Sequence, residues 1–361
     1  FGVTGQDGSY LAKFLLKKGY IVHGVKRRSS SINTNRVDDI YENPFIKSKK
    51  FYLHYGDVTD TLSVNKIVKN TKPNEIYNLA AQSHVAVSFE VPEYTANADA
   101  LGALRILESI RSLKLEKKVK FYQASTSEIF GKVQTIPQTE KTSFYPRSPY
   151  GVAKLYAHWI TDIYQKSYNI FTATGILFNH ESPLRGLEFV SRKITNTVAE
   201  ISLGLKKELV LGNLNAKRDW GYAPEYVNAI HLMLKQDKPD TFVISTGEAH
   251  SVLEFAKIAF ELVGLNWKKY VKTDKRFLRP LEVDYLRGNP KKAKRKLNWK
   301  PKITFKKLVE IMLNEDLDRW KQFLDGKTFP WDAPAYPSES NIITRLSKEN
   351  TSKNSLKKRK R

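Results

Sequence analysis

The chain has 361 residues, 41% of them hydrophobic, so it can bury a full core, and its length suggests two compact units. The absence of cysteine excludes disulfides, thiolate metal sites and cysteine nucleophiles, and it fits a reducing, cytoplasmic compartment. No apolar run approaches the ~18 residues of a membrane span and no signal peptide is visible, so we expect no membrane partner.

The formal net charge of +24 is concentrated in part at the end of the chain. Residues 341–361 hold eight basic residues and one acidic residue, a net charge of +7. A basic balance can indicate nucleic acid, an anionic surface or an anionic substrate. Because no aromatic-interleaved basic patch or recognition motif accompanies the charge, we do not expect a nucleic-acid partner. The polar, lysine-rich residues 337–361 predict a disordered basic tail.

Short apolar runs alternate with helical patterns from Gly2 to about Phe178. The strand-like runs are Ile21–Val25, Phe51–Tyr55, Glu75–Leu79, Val119–Ala124 and Thr172–Phe178, with helical stretches such as Tyr10–Lys18 and Asn97–Leu113 between them. This alternation is typical of an α/β fold with a doubly wound parallel sheet. From about Ser182 the pattern loosens into mixed helices and short strands, which predicts a smaller mixed α/β lobe.

The chain opens on a glycine-rich stretch, FGVTGQDGSYLAKFLLKKG, in which Gly2, Gly5 and Gly8 are spaced G-x-x-G-x-x-G. Glycines let the backbone approach a pyrophosphate, whose charge then meets a helix N-terminus. A lone triplet is a weak signal, but this one opens a helix and a strand-like run follows it. We therefore predict a Rossmann-type dinucleotide-binding domain over residues 1–182, a mainly substrate-binding lobe over 183–336, and the tail over 337–361. We also expect that the central first strand of such a fold is missing from this chain.

The second strand-like run continues into GVKRRSSS, with Lys26, Arg27, Arg28 and no acidic residue. An acid at this point would bind the ribose hydroxyl of NAD, whereas basic residues suit the phosphate of NADP. Arginine can bind such a phosphate through two parallel hydrogen bonds. A solvated basic loop is the alternative, but the pattern favours NADP.

A tyrosine and a lysine follow at helical spacing in YPRSPYGVAKLYAHW: Tyr150 and Lys154 lie four residues apart and share one helix face. An ammonium beside a phenol lowers the phenol pKa and makes a base for an alcohol. Y-x-x-x-K alone is common, but Thr126, 24 residues upstream, sits at a strand end where its hydroxyl can bind the same oxygen. The combination resembles the hydride-transfer site of the short-chain dehydrogenase/reductase superfamily.

One further acid, Glu128, lies two residues after Thr126 in ASTSEIFG. The carboxyl ends of parallel strands are where ligands bind in open α/β sheets. A plain alcohol dehydrogenase needs no such carboxylate. Once a ketone has formed, however, a carboxylate can remove the acidified neighbouring C–H proton and drive the loss of a hydroxyl. Glu128 therefore indicates a dehydratase, with a surface acid at a strand end as the alternative.

Distinctive segments from Gly2 to about Trp320 resemble the GDP-mannose 4,6-dehydratases, a family of extended short-chain dehydrogenases. They are TGQDGSYLA, RRSSS, HYGDVTD, AAQSHVAVSFE, FYQASTSEIFGK, FYPRSPYGVAK, GILFNHESPLRG, LGNLNAKRDWGYA and RPLEVD. Similar dehydratases acting on dTDP-glucose carry an Asp-Glu pair after the threonine, where this chain has Ser127 and Glu128, and epimerases lack the acid. The chain departs from the family at Asn35, in place of a glycine, and at Leu184, in place of an arginine.

The resemblance implies a role for each matching residue. Catalysis would involve Thr126, Glu128, Tyr150 and Lys154. The NADP cofactor would contact Gly2, Gly5, Gly8, Arg27, Arg28, Asp57, Val58, Leu79, Ala80, Ala81, Gln82, Ser83, Tyr94, Lys154, His180 and Arg185. The sugar nucleotide would contact Ser88, Asn179, Lys193, Arg218, Arg279 and Glu282. Lys193 and Arg218 suit a diphosphate, and Glu282 can accept hydrogen bonds from sugar or ribose hydroxyls.

The implied activity is that of a lyase: conversion of GDP-mannose to GDP-4-keto-6-deoxymannose and water, the first step toward GDP-fucose or GDP-rhamnose type sugars. The family also implies a homodimer or homotetramer, with the RRSSS loop near the second interface. No metal is expected, since the seven histidines are scattered. Another nucleotide-sugar dehydratase, an epimerase or a catalytically silent Rossmann-type binding protein remain as alternatives.

Overall fold

Parallel strands, buried on both faces, form the centre of the molecule, as the apolar runs predict. The computed structural model describes residues 1–30, 33–41 and 49–326. The strands are β1 (Val22–Lys26), β2 (Phe51–Tyr55), β3 (Glu75–Asn78), β4 (Lys120–Thr126), β5 (Phe171–Leu177), β6 (Asn179–Glu181), β7 (Leu209–Leu211), β8 (Lys217–Arg218), β9 (Trp220–Tyr222), β10 (Asp240–Ile244), β11 (His250–Ser251) and β12 (Val271–Thr273). The five predicted strand-like runs correspond to β1 to β5 within two residues at each end.

The helices surround this sheet and build a second layer beyond it. They are α1 (Gln6–Lys17), α2 (Thr61–Thr71), α3 (Val85–Glu90), α4 (Pro92–Thr95), α5 (Gly102–Ser112), α6 (Pro149–Tyr168), α7 (Val190–Ser202), α8 (Ala223–Leu234), α9 (Val252–Leu262), α10 (Lys291–Leu297) and α11 (Phe305–Leu324). A π-helical turn, Ala96–Leu101, joins α4 to α5. The predicted α/β class with parallel strands is confirmed.

Four strands form one parallel sheet in the order β10-β5-β4-β3, while β1 and β2 form a separate parallel pair. The first residues of the chain run between the two: the amino group of Phe1 donates to the Tyr77 carbonyl at 2.9 Å, and the Val3 amide donates to the Val25 carbonyl at 3.4 Å. A cavity of about 550 Å³ lies beside them, lined by residues of β1, β3 and α1. The expectation of a missing first strand stays a prediction.

The chain returns to the main sheet after the boundary that the sequence predicts at residue 182. Strand β10 pairs in parallel with β5, with Phe242 opposite Gly175, although Phe242 falls within the predicted second lobe. Helix α8 packs against α1 and against the sheet. The lobe beyond this crossing is built largely from α7, α9 and α11 around a core that includes Leu308 and Met312. Its predicted substrate-binding role stays a prediction, and residues 337–361 lie outside the described residues.

Candidate active site

A single large cavity of about 1260 Å³ opens at the carboxyl ends of β3, β4 and β5. It brings together nearly every residue that the sequence singles out, although these residues are spread over 281 positions of the chain. The lining includes Gly2, Gly5, Gly8, Arg27, Asp57, Val58, Leu79, Ala80, Ala81, Gln82, Ser83, Tyr94, Thr126, Glu128, Tyr150, Lys154, Asn179, His180, Arg185, Lys193, Arg218, Arg279 and Glu282. Two candidates, Arg28 and Ser88, do not line it.

These two exceptions have visible structural reasons. Arg28 is exposed, and its guanidinium donates to the carbonyl of the next residue, Ser29, at 3.1 Å. Ser88 is fully buried within α3, and its hydroxyl donates to the Val85 carbonyl at 2.6 Å. Their predicted roles in binding the cofactor and the sugar nucleotide therefore gain no support from the cavity.

The glycine-rich loop forms the wall of the cavity at the N-terminus of α1. Among the described residues no side chain caps this N-terminus, so its first amide groups remain available to an anion. A Cβ atom at Gly8 would lie 2.1 Å from the Gly2 carbonyl oxygen, and only glycine permits this close packing of loop and helix. The uncapped helix end and the cavity-lining glycines together fit the pyrophosphate of a dinucleotide cofactor.

An ion pair that sequence reasoning missed fixes this loop to β6. Asp7, in the first turn of α1, faces His180 with its Oδ2 atom 2.7 Å from His180 Nε2, while His180 Nδ1 lies 2.7 Å from the Phe178 carbonyl oxygen. Burial works against the charged ring, but the Asp7 carboxylate outweighs it and raises the pKa of His180. Both ring nitrogens are thus engaged within the protein. The only signal in the sequence is an acid placed between two glycines of the loop.

The basic loop after β1 contributes Arg27 to the cavity, close to another arginine that was not singled out. Arg36 lines the same cavity and donates to the Leu184 carbonyl at 2.9 Å and to the Thr4 carbonyl at 3.4 Å. Leu184 stands where the family has an arginine, but this contact uses only its backbone oxygen. The departure at Leu184 therefore leaves the contact intact.

The turn after β4 holds the two central candidates, Thr126 and Glu128. Thr126 ends the strand, and its Oγ1 accepts a hydrogen bond of 3.3 Å from the Glu128 amide, so its O–H can act as a donor, with the Tyr150 phenol as its hydrogen-bonding neighbour. Glu128 is buried, with 8% of its surface exposed, and its carboxylate faces the cavity. The turn thus holds a hydroxyl and a carboxylate two residues apart, both of them buried in the wall of the cavity.

Helix α6 packs closely against this turn because of a glycine. A Cβ atom at Gly151 would lie 2.9 Å from the Glu128 carbonyl oxygen. Ser148 caps the helix, its Oγ accepting from the Gly151 amide at 3.0 Å. Tyr150 and Lys154 are both buried, as their spacing on one helix face predicts, and Lys154 Nζ donates to the Ala124 carbonyl at 3.2 Å.

The electrostatics of the tyrosine differ from what the lysine alone suggests. Burial, then the nearby Asp99 and Glu128 carboxylates, raise the pKa of Tyr150, although the Thr126 hydroxyl acts in the opposite direction. Burial also lowers the pKa of Lys154, against the carboxylates of Asp99 and Asp7. The expectation of a lowered tyrosine pKa considered the ammonium alone, and in this protein burial and two carboxylates outweigh it.

Opposite Tyr150 and Lys154, the cavity is lined by charged side chains that pair with one another or with Glu128. Arg218 lies 3.7 Å from Glu282, and Arg279 lies 3.6 Å from the Glu128 carboxylate. The Lys193 ammonium lies 3.6 Å from the centre of the Phe277 ring. Three cations therefore converge on one side of the cavity, an arrangement that suits a diphosphate.

A buried acid next to Arg218 was also missed by sequence reasoning. Asp219 accepts hydrogen bonds from the amides of Thr246, Gly247 and Gly288, at 2.7 to 3.2 Å. It ties two backbone segments to the strand region that carries Arg218, so it acts on the site through positioning. Its sequence signal, an acid beside an arginine, does not distinguish it from a surface residue.

The described residues offer neither a metal centre at this site nor a membrane-spanning helix. No group of three or more histidine, cysteine, aspartate or glutamate side chains lies close enough together to hold a metal ion there. Within the same residues, no helix combines the length and apolar character that crossing a membrane requires.

Comparison with known proteins gives a consistent result. The family described as "GDP-mannose 4,6 dehydratase" matches residues 1–312. The human protein named GDP-mannose 4,6 dehydratase is 53% identical, and the match covers 88% of this chain and 90% of that protein.

Two solved structures share the fold. RMD from Pseudomonas aeruginosa complexed with NADPH is 20% identical with a TM-score of 0.72, covering 88% of this chain and 97% of that one. dTDP-glucose 4,6-dehydratase from Bacillus anthracis in complex with NAD is 22% identical with a TM-score of 0.76, covering 89% of this chain and 96% of that one. The family match and the human relative span the glycine loop, the strand-end turn and helix α6, and this chain belongs to the GDP-mannose 4,6-dehydratase family.

Proposed function

We propose that this protein is a lyase that converts GDP-mannose to GDP-4-keto-6-deoxymannose and water. The observation that carries the proposal is the buried Glu128 carboxylate, which faces the same cavity as Thr126, Tyr150 and Lys154. A simple oxidoreductase has no use for a fourth, acidic member of this set. Elimination of water beside a ketone needs a base, and Glu128 supplies it.

The residues that would hold a nicotinamide cofactor are those at the glycine loop, the loop at Arg27 and the segment Leu79 to Ser83. When bound, such a cofactor supplies a positively charged ring that accepts a hydride from the substrate and later returns it. The free protein keeps the proton on Tyr150, because its pKa is raised there. Tyr150 therefore becomes a base only in the loaded site.

Each catalytic side chain then has one task. Tyr150 takes the O4 proton of the mannosyl group while C4 is oxidised, Thr126 donates a hydrogen bond to the same oxygen, and Lys154 contributes positive charge beside the phenolate. Glu128 takes the proton from C5, which the new ketone at C4 has made acidic. Departure of the C6 hydroxyl as water completes the elimination, with Glu128 or a relayed proton assisting it. The double bond between C5 and C6 that elimination leaves would take the returned hydride at C6 and the proton held by Tyr150 at C5, which gives the 6-deoxy product and restores the tyrosine as a base.

The cations of the opposite wall bind the nucleotide end of the substrate. Lys193 and Arg218 suit the two phosphates, while Glu282 accepts hydrogen bonds from sugar or ribose hydroxyls. Arg279 bridges the two regions, because it lies near both this wall and Glu128. The charge of the Glu128 carboxylate also acts on Arg218, so substrate binding and the catalytic carboxylate are coupled through two guanidinium groups.

The decisive experiment is incubation of the purified protein with GDP-mannose, followed by mass spectrometry of the product. A loss of one water with formation of a 4-keto sugar supports the proposal. Conversion of dTDP-glucose instead, or an epimer of unchanged mass, would reassign the enzyme within its superfamily. Absence of any conversion would favour a catalytically silent binding protein.

We further propose NADP as the cofactor and a cytoplasmic location, which the absence of cysteine fits. Arg27 lines the cavity whereas Arg28 does not, so the two arginines provide a matched comparison. We expect Arg27→Asp to weaken NADP⁺ binding at least tenfold relative to NAD⁺ binding. Arg28→Ala should leave the ratio of the two affinities nearly unchanged. Fluorescence titration with both cofactors measures the ratio. Equal affinities in the parent protein would rule out NADP selectivity.

We also propose a homodimer that is formed through α6. Its outer face exposes an apolar stripe, Val152, Tyr156, Trp159 and Ile163, with 40% to 57% of each residue's surface accessible, and its inner face carries Tyr150 and Lys154. The adjoining helices α4 and α5, with the π-helical turn between them, add Tyr94 and Leu101, which are about 40% exposed. A contiguous apolar face on two packed helices suits a self-complementary interface.

We expect Trp159→Glu to weaken dimerisation at least tenfold, because it places a charge in the centre of this face. Leu62→Glu provides the matched control, since Leu62 is 81% exposed on α2, away from α6. Sedimentation velocity over a concentration series measures both. A parent protein that is monomeric at high micromolar concentration, or a Trp159→Glu variant that dimerises as the parent does, would contradict the interface.

A further inference from the structure

A buried acid, Asp99, lies at the centre of an irregular helix beside the catalytic site. Asp99 belongs to the π-helical turn Ala96–Leu101, which is inserted between α4 and α5. Such turns are rare and frequently occur at functional sites. Only 1% of the Asp99 surface is exposed, so folding removes its carboxylate from water. Within the described residues, its hydrogen-bond donor is the Gln82 amide and not a group on its own helix.

The contacts of this carboxylate use only part of its capacity. Asp99 Oδ1 accepts a hydrogen bond of 2.7 Å from the Gln82 backbone amide, in the segment that lines the cofactor side of the cavity. Asp99 Oδ2 is buried and makes no hydrogen bond within the described residues. A buried carboxylate with one unused oxygen is costly unless a positive charge compensates it.

The compensating charge comes from the neighbouring helix α6, which packs against the π-helical turn. The charged and titratable groups that interact with Asp99 are Lys154 and, through its phenol, Tyr150. Burial raises the pKa of Asp99 to about 6, against the opposing influence of Lys154 and of the Gln82 amide. Asp99 is therefore largely ionised at neutral pH.

Lys154 is a buried cation that needs a compensating negative charge. Its ammonium is buried, and its one hydrogen bond within the described residues is to the Ala124 carbonyl. Burial lowers the pKa of Lys154, and the first influence that opposes this is Asp99, followed by Asp7 from α1. Asp7 itself is already paired with His180. Asp99 is thus the acid whose charge is available to Lys154.

We infer that Asp99 is a positioning residue, the counter-ion that keeps Lys154 in its charged form beside Tyr150. The inference rests on the proposed function only for its kinetic consequence. Asp99 does not touch the reacting atoms; it acts through Lys154. The π-helical turn carries this carboxylate in the segment that packs against α6, while the Gln82 amide holds one of its oxygens.

Removing the charge has a signature that a structural defect lacks. The Asp99 carboxylate raises the pKa of both Tyr150 and Lys154. In Asp99→Asn both pKa values therefore fall, while the amide oxygen still accepts from Gln82. The acid limb of the kcat profile, which reflects formation of the phenolate, and the basic limb, which reflects loss of the ammonium, should both move to lower pH by about one unit.

The experiment compares the parent with three variants, measuring kcat for GDP-mannose dehydration against pH. Asp99→Asn should shift the whole profile downward, and Asp99→Glu should restore it toward the parent. Thr95→Val is the matched control, because Thr95 is fully buried on α4 beside Gln82 but carries no charge. It should lower stability without moving the profile. If Asp99→Asn does not fold, Asp99→Ser provides a second charge-free variant.

A second readout is independent of turnover. In protein labelled with ¹⁵N-lysine, the Nζ resonance of Lys154, assigned by its absence in Lys154→Arg, should titrate at lower pH in Asp99→Asn than in the parent. An unchanged titration, or a kcat that falls at every pH without a shift, would overturn the inference. A parent protein that does not dehydrate GDP-mannose would contradict the proposed function instead, and the NMR titration would still test Asp99.

Discussion

Replacing Glu128 by glutamine is expected to abolish dehydration while leaving oxidation at C4 in place. The substitution is nearly isosteric, so Thr126 Oγ1 still accepts the hydrogen bond from the amide of residue 128. Tyr150 and Lys154 keep their positions on α6. The amide cannot accept the C5 proton, so elimination stops at the 4-keto stage. Loss of a general base costs about 10²–10⁴ in rate, and we expect overall turnover to fall by about 10³.

Three measurements separate the steps in this variant. Mass spectrometry follows formation of the dehydrated product. The absorbance of the reduced cofactor in a single turnover follows oxidation at C4, and exchange of the C5 hydrogen in D₂O follows proton removal. We expect the first and third to disappear in Glu128→Gln and the second to persist. Because Glu128 also lies 3.6 Å from Arg279, KM is recorded as well, to detect altered substrate binding.

The matched control is Glu140→Gln. The Glu140 carboxylate accepts a hydrogen bond of 2.9 Å from the Val243 amide, and Glu140 does not line the cavity. A glutamine there can still accept this bond, so activity should remain near that of the parent. Full dehydratase turnover in Glu128→Gln would remove the base assignment, and equal losses in both variants would point to a general loss of folding.

The features that could be predicted from the sequence are those that depend on local pattern. Apolar runs position β1 to β5 within two residues because the interior of a parallel sheet that helices cover is largely apolar. The four-residue spacing of Tyr150 and Lys154 likewise determines that both lie on one face of α6. Fold, family and the shared cavity follow from such patterns together with the motifs.

What could not be predicted depends on contacts between distant segments. The Asp7–His180 pair joins residues 173 positions apart. The role inferred for Asp99, as counter-ion to Lys154, likewise depends on the packing of α6 against the π-helical turn. The pKa of Tyr150 was expected to fall, since only the lysine is visible at helical spacing, whereas burial and carboxylates from two other elements raise it. Strand β10 crosses back into the main sheet because of pairing with β5, which no local pattern specifies.

Substituting alanine at Gly8 should lower stability, whereas the same substitution at Gly5 should leave stability unchanged, although both glycines belong to the same loop. A Cβ atom at Gly8 would lie 2.1 Å from the Gly2 carbonyl oxygen and 2.7 Å from the Val3 Cα, and these backbone atoms cannot rotate away. At Gly5 the new atom would lie 3.4 Å from the same oxygen, an ordinary contact, and the backbone there is extended, with φ −76°.

We therefore expect Gly8→Ala to separate α1 from the loop, with a loss of about 3 kcal/mol in the free energy of unfolding and a lower Tm. Cofactor affinity should fall with it, because the uncapped amide groups of α1 lose their alignment with the loop. Gly5→Ala should keep the Tm of the parent. Its cofactor affinity then reports directly whether a bound pyrophosphate approaches the backbone at Gly5, because the folded loop is otherwise unchanged.

Differential scanning calorimetry and cofactor titration on both variants provide the two readouts. A Gly8→Ala protein with the parent's Tm would show that α1 does not require the close approach at Gly2. A Gly5→Ala protein that binds the cofactor as tightly as the parent would place the pyrophosphate away from Gly5, and the anion would then have to meet the helix N-terminus at Gly8 alone. Because the two substitutions differ only in where one methyl group lands, the comparison separates the glycine that the fold requires from the glycine that the ligand requires.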